Sequence, residues 1–121
     1  MEEILERLKT SKFRSSFNLK KVDIDYIDKV GIDKISDHVL DFINTRLKPS
    51  IIKNDGKQTP YKGHPAFISM HACACCCRNC LNKWHNIKKN TELSSFEVNY
   101  IHDLLMLWIK KEYDKYKANH N

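Results

Sequence analysis

Glycine and proline are scarce in this sequence, with three of each in 121 residues. That scarcity argues against an all-β fold, whose many tight turns draw on both. No run approaches the roughly 20 apolar residues that a membrane span requires, so no membrane partner is expected. The opening MEEILERLKTSKF begins with acidic residues, and its apolar residues are interspersed among polar ones, unlike a secretory signal. The expected compartment is therefore the cytoplasm, where thiols stay reduced. Acidic residues nearly vanish from one stretch. Between Arg46 and Lys89 nine Lys and Arg face Asp55 alone, a net +8. The stretch before it (eight basic, nine acidic) and the stretch after it (four basic, five acidic) are each −1. Cysteine is absent outside Cys73–Cys80, yet five cysteines fall inside it. An odd number, with three of them consecutive, excludes a disulfide framework.

Hydrophobic residues at 41% and charged residues at 30% describe a globular chain, and its length suits one domain over 1–121. Residues 1–17 read as a short amphipathic helix, carrying Ile4, Leu5 and Leu8, followed by an arm, SKFRSSF. Asn18 is placed to cap a second helix with Val22, Tyr26, Ile27 and Val30 on one face and Gly31 at its end. Ile35, Val39, Phe42, Ile43 and Leu47 mark a third, which Pro49 stops. Residues 49–65, PSIIKNDGKQTPYKGHP, break the pattern as a long basic loop with a turn at Asn54-Asp55-Gly56, and long loops in compact domains are often functional. The last helix, 94–117, opens with a Ser94/Glu97 capping box. Its stripe is Phe96, Tyr100, Ile101, Leu104, Leu105, Trp108 and Ile109. The expected fold is all-α: a small helical bundle with a long irregular basic loop and a Cys/His-rich segment at 66–89.

The chemistry concentrates in HACACCCRNCLNKWH, residues 71–85. No glycine or proline interrupts 66–90, so one continuous helix is possible there. It would line Met70, Cys73, Cys77, Cys80, Leu81 and Trp84 along one face, and cysteine buries readily as a small apolar residue. Packing alone would then account for the thiols. The same letters also form C-x-x-C-x-x-x-x-H through Cys77, Cys80 and His85, the spacing of the first three ligands of a zinc knuckle. His71, Cys76 or His64 would complete such a site. In an unbroken helix His85 lies about 140° around the axis from Cys80, so a shared ion demands a break near Asn79 or Asn82. A reactive thiol beside Arg78 is a weaker third possibility, since no local signature of a cysteine enzyme is present. Nucleobase deamination is excluded by the missing H-x-E and P-C-x-x-C elements.

The run NDGKQTPYKGHPAFISMHACACCCRNCLNKWHNI resembles the core of a bacterial family, the domain of unknown function 4186. The shared positions include Asn54 to Pro60, Gly63 to Pro65, Phe67, His71, Ala72, Cys76 to Arg78, Cys80, Leu81 and Lys83 to His85. The likeness runs from about Phe13 to the last helix. In that family the positions of Cys73 and Cys75 are usually threonine. The resemblance thus implies that these two are passengers, with the weight on Cys76, Cys77 and Cys80. It implies a one-domain protein with a loop-plus-cysteine site and brings no activity with it.

The expected function is a zinc-supported domain whose basic surface binds nucleic acid or another phosphate-rich partner, with iron as the alternative metal. Cys77, Cys80, His85 and His71 are the expected ligands, with Cys76 as substitute. Lys57, Lys62, Arg78, Lys83, Lys88 and Lys89 are the expected phosphate contacts, and Tyr61 or Trp84 a stacking platform, although Trp84 also fits the helical stripe. The alternative from another class is a metal-dependent hydrolase acting on a phosphoester, with His64 and Asp55 as acid and base. A third is a helical interaction protein whose cysteines only pack. Four protein ligands favour a binding module, and three with a water favour an enzyme.

Overall fold

A computed structural model describes residues 1–120, and its described residues form seven helices and no strand. These are α1 Glu2–Lys9, α2 Lys12–Ser15, α3 Lys21–Val30, α4 Ile32–Arg46, α5 Pro65–Ala72, α6 Arg78–His85 and α7 Ser95–Asn119. The chain is the all-α bundle its sequence indicates. No described helix is long and apolar enough to cross a membrane.

α5 is the axis of the bundle. Every one of its residues is buried, and its sequence PAFISMHA has no polar face to offer solvent. Helices of that kind sit inside other elements, and α5 packs against α2, α3, α4 and α7. α4 buries Ile35, Val39 and Ile43, while α7 buries Val98, Ile101, Leu104, Leu105, Met106 and Ile109. The Ser94/Glu97 capping box forms as expected, with Ser94 N donating to the Glu97 carboxylate at 2.9 Å.

Several boundaries and faces differ from the sequence expectation. Asn18 does not cap α3: its amide donates to Ser16 O, and the Asp23 carboxylate caps the helix by accepting from Lys20 N at 2.9 Å. Val22 is exposed, as is Phe96, because the buried side of each first turn is carried by the residue two further on, about 200° around the axis. Ile24 and Val98 take the buried places instead. Pro65 belongs to α5 as its first residue, where its missing N–H has no intrahelical partner to lose. The arm of residues 11–17 is packed: Ser11 caps α2 through Arg14 N, and Arg14 is buried.

The single helix through 66–90 does not form. α5 ends in a Schellman turn, with Cys75 N donating to Met70 O at 2.7 Å and Ala74 N to His71 O at 3.3 Å. Ala74 holds the left-handed conformation (φ 57°) that glycine usually supplies. The break therefore falls before the expected Asn79 or Asn82, and the chain restarts as α6 at Arg78.

Arg78 fastens the irregular segments together. Its guanidinium is buried and donates to Leu47 O, Pro49 O, Lys88 O and Thr91 O at 2.6–3.1 Å. Its main-chain N–H donates to Asp55, as does that of Asn79, so a loop carboxylate caps α6 from 23 residues upstream. The turn at Asn54-Asp55-Gly56 closes through Lys57 N to Asn54 O. Hydrogen bonds from a charged donor contribute about 1.5–3 kcal/mol each. Arg78→Ala should accordingly destabilise the fold by about 3–5 kcal/mol in urea unfolding. A change below about 1 kcal/mol would show that the loop is held by something else.

Candidate metal centre

The reversal after α5 brings three sulfurs together. Cys76 and Cys77 lie on the extended segment that enters α6, and Cys80 sits on the first turn of that helix. Cys77 caps α6, its Sγ accepting from Cys80 N at 3.3 Å. The sulfurs of Cys76, Cys77 and Cys80 lie within 4.8 Å of one another, a group that can hold a metal ion. A tetrahedral ion with sulfur at 2.3 Å sets neighbouring sulfurs about 3.8 Å apart, so closing on one ion needs shifts of about 1 Å or less. Cys76 and Cys77 are buried, and Cys80 is half-buried.

Arg14 closes the other side. Its guanidinium donates to Cys80 Sγ at 3.2 Å, Cys76 Sγ at 3.6 Å and His71 O at 2.7 Å. No carboxylate pairs with it among the described residues. Hydrogen bonds from the Cys76 and Cys77 thiols, with Arg14 beside them, hold the Cys80 thiol far below its ordinary range. The same sharing pushes Cys77 up, through its hydrogen bonds to Cys76 and Cys80. The hydrogen bonds thus favour the thiolate form at Cys80, with Cys76, Cys77 and Arg14 as its donors. Arg14 is the site residue that sequence reading misses, because only the fold carries α2 to a segment 62 residues away.

Cys73 and Cys75 lie outside this group, fully buried, and burial pushes both thiols up. The histidines also lie outside it. His85 Nε2 donates to Cys73 O at 2.8 Å, and its Nδ1 meets the Tyr100 hydroxyl at 2.8 Å. His71 Nε2 faces two carbonyls, Thr59 O and Pro60 O, both at 3.1 Å, so that nitrogen carries the proton. The His71 ring stacks on Tyr61 with centroids 4.2 Å apart. Thr59 Oγ1 donates to Cys76 O, which ties the loop to the thiol segment.

The two acid–base candidates serve separate helices. Asp55 caps α6. His64 caps α5, its Nδ1 accepting from Ala66 N at 2.9 Å while its Nε2 meets His38 Nδ1 at 3.0 Å. Burial, then the neighbouring His38, hold His64 down to about 4 from its ordinary 6.5. Among the expected phosphate contacts, Arg78 is withdrawn from solvent by its four carbonyls. Lys57, Lys62, Lys83, Lys88 and Lys89 are exposed. Trp84 is half-buried beneath Arg7, whose guanidinium lies 4.8 Å from the ring centroid.

The family model described as Domain of unknown function (DUF4186) matches residues 2–110, and the chain belongs to that family. No solved structure matches the chain.

Thiolate character and partial exposure together make Cys80 the most reactive of the five cysteines. In metal-free protein, brief iodoacetamide treatment should label Cys80 first and leave Cys73 and Cys75 unmodified, as read by peptide mass mapping. Arg14→Gln should slow that labelling, and equal labelling of all five would contradict the thiolate assignment. Acid should also weaken the fold through His64. Its folded pKa lies below the unfolded value, so stability is fully present above pH 6.5 and is lost as pH falls from there through about 4. His71 and His85 shift in the same direction by burial. His64→Asn keeps a capping side chain and does not titrate. Its urea midpoint should fall less than that of the wild type between pH about 7 and about 4.5, whereas parallel profiles would rule His64 out.

Proposed function

We propose that this member of the family is a zinc-supported helical domain in which Cys76, Cys77 and Cys80 hold one ion, and that its basic loop and α6 surface meet nucleic acid. One observation carries the first half: three sulfurs converge against a buried arginine that has no carboxylate. Three thiolates and a divalent ion sum to −1, and Arg14 returns that charge to zero in a place where net charge is costly. Zinc is the default ion for a thiolate set and iron the alternative. Cys80 lies on the half-exposed side, where a water would serve as the fourth ligand. His71, expected as a ligand, supports the centre through its carbonyl on Arg14 and its ring under the loop.

Support for the polyanion half comes from unpaired charge. No salt bridge involves Lys57, Lys62, Lys83, Lys88 or Lys89 among the described residues. Asp55, the one acid of that stretch, is spent on the α6 cap. A surface of this kind attracts phosphate through counterion release. An open fourth position is also the arrangement of a reactive metal. The hydrolase alternative nevertheless has less support, because His64 and Asp55 are committed to caps of different helices.

Protein purified without chelator should carry about one equivalent of zinc or iron. Cys76→Ser, Cys77→Ser and Cys80→Ser should each lose it, while Cys73→Ala, Cys75→Thr and His85→Gln keep it. Metal-free protein of unchanged stability would return the three cysteines to simple packing.

A further inference from the structure

Between the α2–α3 connection and the turn that leads into α5 lies a groove of about 670 Å³, lined by Phe17, Lys20, Tyr26, Tyr61, Lys62 and Ile68 among others. Its walls are aromatic and its rim carries two cations. We propose that this groove holds one base of a single-stranded nucleic acid against Tyr61, with Lys20 and Lys62 on the flanking phosphates. The inference rests on the polyanion reading above and names where a base, rather than only the backbone, would be recognised. It does not depend on an ion at the cysteines.

Three features carry it. First, Tyr61 is a prepared platform. One face lies on His71 at 4.2 Å, nearly parallel, and Phe17 stacks on the same imidazole at 5.5 Å. The His71 ring is fixed in turn by the carbonyls of Thr59 and Pro60. Phe17 also lies near-parallel to Tyr61 at 6.3 Å, and Tyr61 is still 62% exposed, so most of its surface is open to solvent. A tyrosine packed against neighbouring rings yet largely exposed loses little entropy when a base stacks on it.

Second, the groove's charged and ring-nitrogen groups other than the two lysines are tied to neighbouring atoms. The Asp23 carboxylate accepts from Lys20 N, and His64 is bonded to Ala66 N and to His38. Neither Lys20 nor Lys62 has a carboxylate partner among the described residues. Against one carboxylate, Asp23, which caps α3, the groove sets two lysines, so its balance is positive and stands beside aromatic surface. A flat ring bearing phosphate matches both.

Third, the groove is open. Lys20, Tyr61 and Lys62 are all exposed, and Lys62 continues into the basic loop. Such an opening lets a strand enter and leave, whereas a free nucleotide is usually enclosed on most of its surface. Stacking on aromatic platforms beside cations is how sequence-tolerant single-strand binding works.

The test measures binding of the full chain, as purified, to a labelled single strand of about ten nucleotides and to an abasic strand of equal phosphate count. The natural strand should bind about tenfold tighter at low salt. Tyr61→Ala should erase that difference and Tyr61→Phe should retain it. Lys20→Glu with Lys62→Glu should weaken both strands. Equal binding of the two strands, or a base preference that survives Tyr61→Ala, would overturn the groove assignment while leaving the lysine surface standing. Absence of binding to either strand would overturn the polyanion reading and the groove together. Adenosine monophosphate binding as tightly as the strand, in competition, would overturn the strand as occupant in favour of a free nucleotide.

Discussion

A buried guanidinium without a carboxylate is the constraint on which the irregular half of this protein depends. Arg78 takes its counter-charge from main-chain oxygens on two separate segments, at 47–49 and 88–91. Those segments have no helix or strand of their own to satisfy them. Four carbonyls directed at one cation give the loop after α4 and the turn before α7 a common anchor, reinforced by Leu93 N donating to Lys48 O. Because Arg78 is also the first residue of α6, the same anchor sets where that helix starts. The helix start in turn sets where Cys77 and Cys80 stand.

The second buried arginine works differently. Arg14 meets sulfur rather than carbonyl oxygen alone, and its charge stabilises a thiolate that a dry interior would otherwise protonate. One arginine thus fixes the backbone of the site and the other fixes its electrostatics. His71 joins Arg14 to the basic loop, with its ring holding the carbonyls of Thr59 and Pro60 and its own carbonyl holding Arg14. Polar groups in the interior are almost fully used in this way. The unpartnered buried side-chain atom among the described residues is Arg78 Nε, beside four satisfied bonds on the same group.

Much of this was legible in the sequence, and what was not has identifiable causes. α7 announces itself through Ser94 and Glu97, and α4 through its stripe and Pro49, because capping chemistry and apolar spacing act within one segment. Periodicity misplaces Val22 and Phe96 because each has an apolar residue two places on, Ile24 or Val98, on the opposite side of the axis, and spacing alone does not say which side the bundle covers. The reversal at Ala74 leaves no trace, because a left-handed residue there carries a methyl group where a glycine would have signalled the turn. Cys77 and Cys80 follow from spacing. The inclusion of Cys76 in place of the histidines follows from that reversal, which swings the 76–77 segment against α6. Arg14 and the Asp55 cap are contacts across 62–66 and 23–24 residues, and local patterns do not encode such distances.

Those long separations bear on the order of assembly. Arg14 leaves the ribosome long before the cysteines it will face, and Arg78 needs Thr91 to complete its set of carbonyls. Cys76, Cys77 and Cys80 lie within five residues and are gathered locally, whereas their charge partner Arg14 stands 62–66 residues away along the chain. Non-local contacts of this kind form late in folding. The three sulfurs can therefore approach one another early, whereas their contact with a guanidinium waits for the bundle.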